Sequence, residues 1–162
     1  MLREFDYENM PVADIVNEII IDAVKRGASD IHLDPRPEFL MVRIRIDGEL
    51  VDYTTLPLGI KNHITTKIKI LASMNITESR LPQDGAIKTT IENRSLDLRV
   101  STLPTVYGEK VVIRILDYTR SMEGLVNLGF SEESLEKLKK IIANPNGIIL
   151  VTGATGTGKS TT

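Results

Sequence analysis

The chain has 162 residues, of which 41% are hydrophobic and 26% are charged, as in an ordinary globular protein. Its formal net charge of −2 and its 4% content of aromatic residues give no electrostatic or stacking argument for binding nucleic acid. Cysteine is absent, which excludes disulfides and thiolate metal sites and agrees with a reducing cytoplasm. No apolar run approaches the length of a membrane span and the acidic beginning is unlike a signal peptide, so we expect no direct membrane insertion.

The first predicted element is an amphipathic helix over residues 12–26. Pro11 suits its first turn, and Gly27 suits a left-handed cap at its C-terminus. The residues that recur at helical spacing and predict its buried face are Val12, Ile15, Val16, Ile19, Ile20, Ala23 and Val24.

A first β-hairpin is predicted next. In residues 40–46 every second residue is apolar, and these apolar side chains are expected on one face of a strand. Asp47 and Gly48 then form a tight turn into residues 49–53. The side chains expected on the other face include Arg43 and Arg45.

A helix is predicted over residues 60–74 from apolar residues at helical spacing. Its β-branched residues are weak helix formers, so packing must hold it. Lys61, Lys67 and Lys69 are expected at its wetter positions.

A second hairpin pairs residues 86–91 with residues 95–101 around a turn at residues 92–94. On its return strand we expect one apolar face turned inward and one polar face turned outward. The inward residues are Leu96, Leu98 and Val100, and the outward residues are Asp97, Arg99 and Ser101.

The pattern changes after the second hairpin. A strand over residues 111–116 follows a loop at residues 104–110, and residues 117–129 then lose any period. Ser131 is expected to cap a helix that runs to about Ala143. The chain therefore predicts three parts, namely a small α+β domain over residues 1–117, a linker over residues 118–130 and the opening of an α/β domain over residues 131–162.

The strongest motif lies in the last part. Residues 153–160 match the phosphate-binding pattern G-x-x-x-x-G-K-[ST], and the apolar residues 147–152 predict the buried strand before such a loop. In this motif backbone N–H groups cradle the phosphates of a nucleoside triphosphate, the Lys159 ammonium reaches the β- and γ-phosphates, and the Ser160 hydroxyl binds Mg²⁺. The predicted nucleotide-binding residues are Gly153, Ala154, Thr155, Gly156, Thr157, Gly158, Lys159, Ser160 and Thr161.

Other polar residues invite a catalytic interpretation less strongly. Asp30 and His32 alternate on a predicted strand, but no nucleophile accompanies them. We expect Asp30 to hydrogen-bond nearby backbone and His32 to pack at the domain surface. His63 is expected to face solvent, and two distant histidines without cysteine do not predict a metal site.

Four phrases occur in order ahead of the phosphate loop, at residues 28–33, 43–48, 80–85 and 98–102 with 108–114. They read Ala-Ser-Asp-Ile-His-Leu, Arg-Ile-Arg-Ile-Asp-Gly, Arg-Leu-Pro-Gln-Asp-Gly, and Leu-Arg-Val-Ser-Thr with Gly-Glu-Lys-Val-Val-Ile-Arg. Together they resemble the secretion ATPases that power type II secretion and type IV pilus assembly, and the resemblance covers essentially the whole chain.

The resemblance implies a fold and a cellular role. The fold is a PAS-like second N-terminal domain, an antiparallel sheet with helices, joined to the first helix, strand and phosphate loop of a RecA-like motor domain. Such ATPases form hexameric rings in the cytoplasm, peripheral to the inner membrane. There they contact platform and docking proteins and use ATP to assemble pilin or pseudopilin subunits.

The resemblance also carries two functional arginines onto Arg99 and Arg114. As trans-acting groups they would stabilise the charge of the transferred γ-phosphoryl group, because a guanidinium is a fixed planar cation. Outward, solvated strand positions are the alternative for both arginines. The same two interpretations are open for Arg43 and Arg45.

Two departures from the family pattern bear on activity. Relatives usually place an arginine directly after the Gln-Asp-Gly phrase, where this chain has Ala86. The Walker B, aspartate-box and histidine-box segments that complete the family's active site are absent from the 162 residues, so we expect this fragment alone to be inactive. A non-catalytic interaction or sensory module of the same machine is the alternative function, and a nucleic-acid motor has no basic or aromatic support.

Overall fold

A computed structural model of the chain describes residues 3, 5, 6, 9–117, 125 and 129–153. The chain divides into two compact units, Met1–Leu116 and Asp117–Thr162. Most of the predicted linker at residues 118–130 lies outside the described residues.

The first unit alternates helices with antiparallel hairpins. Its elements are α1 (Val12–Lys25), β1 (Asp30–Pro35), β2 (Phe39–Ile46), β3 (Glu49–Pro57), α2 (Leu58–Leu71), β4 (Gln83–Ile91), β5 (Arg94–Thr105) and β6 (Gly108–Asp117).

The strands form one six-stranded sheet in the order β3-β2-β1-β6-β5-β4. β1 lies in the middle, antiparallel to β2 on one side and to β6 on the other. Ile31 of β1 is therefore opposite both Ile44 and Ile113, and these residues share one face of the sheet. The α+β class predicted from the sequence is confirmed, whereas the PAS-like relationship stays a prediction.

The core lies between this face of the sheet and the two helices. Val16 and Ile19 of α1 and Ile68 of α2 meet Leu33 of β1 and Ile113 of β6 in the interior. Full burial of each such side chain stabilises the folded state by about 1.5–3 kcal/mol relative to leaving it exposed. The predicted buried face of α1 is confirmed, although Val12 is only partly buried.

Tight turns join the hairpin strands. Asp47 and Gly48 both have positive φ angles, of 50° and 87°, so the turn predicted between β2 and β3 is confirmed. Glu92 and Asn93, with φ of 51° and 62°, form the turn between β4 and β5. Arg94 already belongs to β5, so the predicted three-residue turn is one residue too long.

Three other predictions for this unit were wrong. The expected loop at residues 104–110 is a hairpin in which β5 continues to Thr105 and β6 begins at Gly108. Lys69 is not at a wetter position, because its ammonium is buried against the Glu109 carboxylate at 2.5 Å. Asp97 lies on the face opposite the core, as alternation predicts, but it is buried there rather than exposed to solvent.

The second unit contains helix α3 (Glu132–Ile142). Ser131 caps it as predicted, since its Oγ accepts a hydrogen bond from the backbone N–H of Ser134 at 3.3 Å. The predicted strand at residues 147–152 is wrong for this structure. Ile148 and Leu150 are 88% and 82% exposed. A strand forms only where a neighbouring strand bonds its backbone, and no described residue pairs with this segment.

Candidate functional site

The sheet face opposite the two helices carries eight charged side chains and one histidine on strands β1, β2, β5 and β6. Alternation turns the apolar residues of β1, β2, β5 and β6 toward the helices and leaves their polar neighbours on this second face. We call it the open sheet face, and its charged or ionisable residues on these four strands are Asp30, His32, Asp34, Arg43, Arg45, Asp97, Arg99, Lys110 and Arg114.

Asp30 lies between two arginines in the strand register, opposite Arg45 of β2 and Arg114 of β6. One carboxylate oxygen, Oδ1, is 3.3 Å from Arg114 Nε. The other, Oδ2, accepts a hydrogen bond from Ser29 Oγ at 2.7 Å and is 3.5 Å from Arg45 Nε. Asp30 therefore binds side chains rather than the backbone partner that we expected.

Asp34 forms a second cluster on the same face. Its Oδ2 accepts from Arg43 Nη2 at 2.7 Å and from Arg43 Nε at 3.0 Å, and its Oδ1 is 2.9 Å from Lys110 Nζ. Burial opposes the ionisation of Asp34, but the hydrogen bonds and charges of Lys110 and Arg43 outweigh it. The pKa of Asp34 is consequently below its ordinary value.

His32 lies between these clusters, opposite Arg43 on β2 and Val112 on β6. Both ring nitrogens are buried and make no hydrogen bond within the described part of the chain. Burial lowers the pKa of His32, the carboxylates of Asp30 and Asp34 oppose this, and the charges of Lys110 and Arg45 reinforce it. The imidazole is therefore held neutral near pH 7.

Arg99 extends from β5 and is 58% exposed. Its Nη2 is 2.9 Å from Asp97 Oδ2, and Asp97 itself is buried. Ala86 of β4 lies directly opposite Arg99 in the register. The position where the family resemblance leads us to expect an arginine is therefore beside Arg99 on the open sheet face.

Arg99 and Arg114 thus lie on the neighbouring strands β5 and β6, and both point away from the core. The side chain of Arg114 is 68% exposed. Each guanidinium contacts one buried aspartate and leaves part of its hydrogen-bonding edge accessible. Two anchored, outward guanidinium groups on one surface are suited to binding a phosphate or carboxylate.

Comparison with known proteins identifies the family. A sequence model of the family described as "Type II/IV secretion system protein" matches residues 6–162. The chain belongs to this secretion ATPase family. It is 45% identical over 156 residues to the type IV pilus assembly ATPase PilB of Myxococcus xanthus, and 47% identical over 152 residues to type II secretion system protein E of Xanthomonas campestris.

These alignments cover 96% and 94% of this chain but only 28% and 27% of the two relatives, so the chain spans less than a third of their length. The X-ray structure of the Legionella pneumophila ATPase DotB matches 94% of the chain and 40% of DotB, with a TM-score of 0.56. At 19% identity, that likeness bears on the fold alone.

Residues of two of the family phrases hold the same segment through hydrogen bonds and an ion pair that the sequence did not predict. Lys69 donates to the backbone carbonyl of Glu78 at 2.6 Å and pairs with Glu109 of the fourth phrase. Gln83 of the third phrase donates from Nε2 to the carbonyls of Asn75 and Glu78 at 3.0 and 2.9 Å. These bonds hold the segment between α2 and β4, so Gln83 and Glu109 have structural partners in this member of the family.

The phosphate loop is described only at its first residue. Gly153 is exposed, whereas the predicted site residues from Ala154 to Thr161, including Lys159 and Ser160, lie outside the described residues. The roles of these residues stay predictions. Among the described residues, no cluster of acidic residues or histidines could hold a metal ion, and no helix is long and apolar enough to cross a membrane.

Proposed function

We propose that these 162 residues are part of a longer ATPase that powers a type II secretion or type IV pilus assembly machine. The family match and the names of the relatives support this proposal. In it, residues 1–117 are the PAS-like second N-terminal domain, residues 118–130 the linker and residues 131–162 the start of the RecA-like domain. The complete protein assembles as a hexameric ring in the cytoplasm at the inner membrane, contacts platform and docking proteins, and drives pilin or pseudopilin assembly without binding nucleic acid.

The phosphate loop supplies the nucleotide contacts in this proposal. Residues 153–161 would bind the phosphates of ATP, with Lys159 against the β- and γ-phosphates and Ser160 as a ligand of Mg²⁺. A bound Mg²⁺ neutralises charge on the phosphate oxygens. The support here is the motif itself, which is specific in its spacing.

The single observation that carries the catalytic part of the proposal is the exposure of Arg99 and Arg114 on one surface. Charge on the γ-phosphoryl oxygens grows in the transition state, and a guanidinium stabilises it without a labile proton. Because the open sheet face presents both cations outward, we propose that they act in trans on nucleotide bound to a neighbouring phosphate loop.

A non-catalytic adaptor is the second candidate. Its support is the pairing of charges, because the aspartates Asp30, Asp34 and Asp97 already neutralise much of the positive charge on this face. A face of this kind could serve as a docking surface for another protein.

Substitution in the full-length ATPase distinguishes these candidates. Lys159→Ala is expected to abolish turnover, and Arg99→Ala and Arg114→Ala are each expected to lower kcat by up to about 10³-fold. KM should change less than kcat, since the interaction strengthens mainly in the transition state. Arg36, an exposed residue of the β1–β2 turn, provides the matched control, and Arg36→Ala should hydrolyse ATP at the wild-type rate. Wild-type hydrolysis by both Arg99→Ala and Arg114→Ala would leave the adaptor as the function of this domain.

A further inference from the structure

The contact between Asp30 and Arg114 has a particular geometry. Asp30 Oδ1 binds Arg114 through Nε, at 3.3 Å, and no contact among the described residues occupies the two terminal nitrogens. The Nη1 and Nη2 groups of a guanidinium form a fork that donates two parallel hydrogen bonds to an oxyanion. An arginine held at Nε therefore retains this fork for a ligand.

Asp30 is itself fixed in place. It is buried in β1, a central strand of the sheet, and Ser29 Oγ and Arg45 hold its Oδ2. The carboxylate is thus a rigid support for a side chain that is otherwise 68% exposed.

Asp34 shows that an aspartate on the same face can hold an arginine differently. It binds Arg43 through both Nε and Nη2, and the Arg43 side chain is only 27% exposed. Arg43 is consequently occupied by its own aspartate, whereas Arg114 is supported by Asp30 and remains available.

We propose that Asp30 is a positioning residue for ATP hydrolysis, because it holds Arg114 by Nε and presents both terminal nitrogens to the transferred γ-phosphoryl group. The inference rests on the proposed function of Arg114. A free arginine side chain samples many rotamers, and part of this freedom is lost when it binds phosphate. Asp30 restricts the side chain before ligand arrives, so Arg114 meets the transition state in a favourable orientation.

The test uses steady-state hydrolysis of Mg-ATP by the full-length ATPase. Asp30→Asn keeps the shape of the side chain and removes its charge, and it should lower kcat about 10-fold, equivalent to about 1.4 kcal/mol, while KM changes less than about twofold. Asp34→Asn is the matched control, because Asp34 is equally buried in the same strand and also pairs with two cations. It should leave kcat unchanged even where it lowers the melting temperature as much as Asp30→Asn does.

A double-mutant cycle shows whether Asp30 acts through Arg114. Asp30→Asn in the Arg114→Ala background should cause no further loss of kcat, since the group that Asp30 positions is already gone. An additive loss would overturn the inference. If Asp30→Asn does not fold, Ser29→Ala loosens the same carboxylate, and it should lower kcat two- to tenfold, as expected for one hydrogen bond of about 0.5–1.5 kcal/mol.

The possible failures are distinguishable. If Arg114→Ala slows hydrolysis but neither Asp30→Asn nor Ser29→Ala does, Asp30 has no positioning role and the proposed function stands. Wild-type hydrolysis by Arg114→Ala would overturn both the role of the arginine and the inference that depends on it.

Discussion

The environment of His32 differs from that of an ordinary surface histidine. Its ring nitrogens are buried without hydrogen-bond partners, and burial lowers its pKa below the ordinary value of about 6.5. The unfolded chain therefore takes up this proton at a higher pH than the folded chain. The contribution of neutral His32 to stability is complete above about pH 6.5 and decreases as pH falls toward its pKa in the folded state.

We therefore expect His32→Asn to flatten the loss of stability of the 162-residue chain between about pH 7 and pH 5. Urea unfolding midpoints measured across this range give the comparison. His63 is the other histidine and lies exposed on α2, so His63→Asn should keep the wild-type pH dependence. An equally steep pH dependence in His32→Asn and the wild-type chain would contradict this account of the buried imidazole.

At the scale of elements, the close approach of β4 to the end of α2 depends on one glycine. A Cβ atom added to Gly85 would lie 2.4 Å from the backbone oxygen of Ala72, which cannot move without displacing the end of α2. Gly85→Ala should therefore lower the free energy of unfolding by about 1–3 kcal/mol. Gly59 of α2 has no atom within 4 Å of its added Cβ, so Gly59→Ala should be neutral or stabilising by up to about 1 kcal/mol.

Urea unfolding of the two glycine variants gives the measurement. Only Gly85→Ala is expected to lower the free energy of unfolding, because the α2–β4 contact is overpacked at Gly85, while the helix gains an alanine at Gly59 without a clash. Equal stability of Gly85→Ala and the wild-type chain would mean that β4 and α2 separate at little cost.

The elements that the sequence predicted well are those with local causes. The periodicity of α1, the Asp47–Gly48 turn and the cap at Ser131 each depend on residues within a few positions of one another. The exposure predicted for Lys69 and Asp97 was wrong, because the residue pattern along one element does not show which residues of other elements bury its side chains. Lys69 lies in α2, and its partner Glu109 lies in β6, the last strand along the chain.

The same distinction applies to the candidate site. Alternation alone predicted that Arg99 and Arg114 point away from the core, and their exposure agrees. The pairing of Asp30 with Arg114 was not predictable, because it requires β6 to lie beside β1 although the two strands are far apart in sequence. Strand order in the sheet was therefore the missing information.

At the scale of the whole molecule, the 162-residue chain is expected to bind ATP weakly and to hydrolyse none above background. A phosphate loop binds tightly when a strand and a helix fix its backbone N–H groups in place. Here residues 147–153 form no strand and are exposed, so the described approach to the loop supplies no such support. ATP binding would then have to order the loop, and the loss of conformational entropy lowers the affinity for ATP.

Calorimetric titration of the chain with Mg-ATP measures this directly, with Lys159→Ala as the control. Because ordering opposes binding, the wild-type chain and the Lys159→Ala variant should give the same small heats, and added Mg²⁺ should not change them. Micromolar, Mg²⁺-dependent binding by the wild-type chain that Lys159→Ala abolishes would show that the loop is already organised within these residues. The nucleotide site would then need no support from further residues of the longer ATPase that we propose, and the exposed approach at residues 147–153 would not weaken binding.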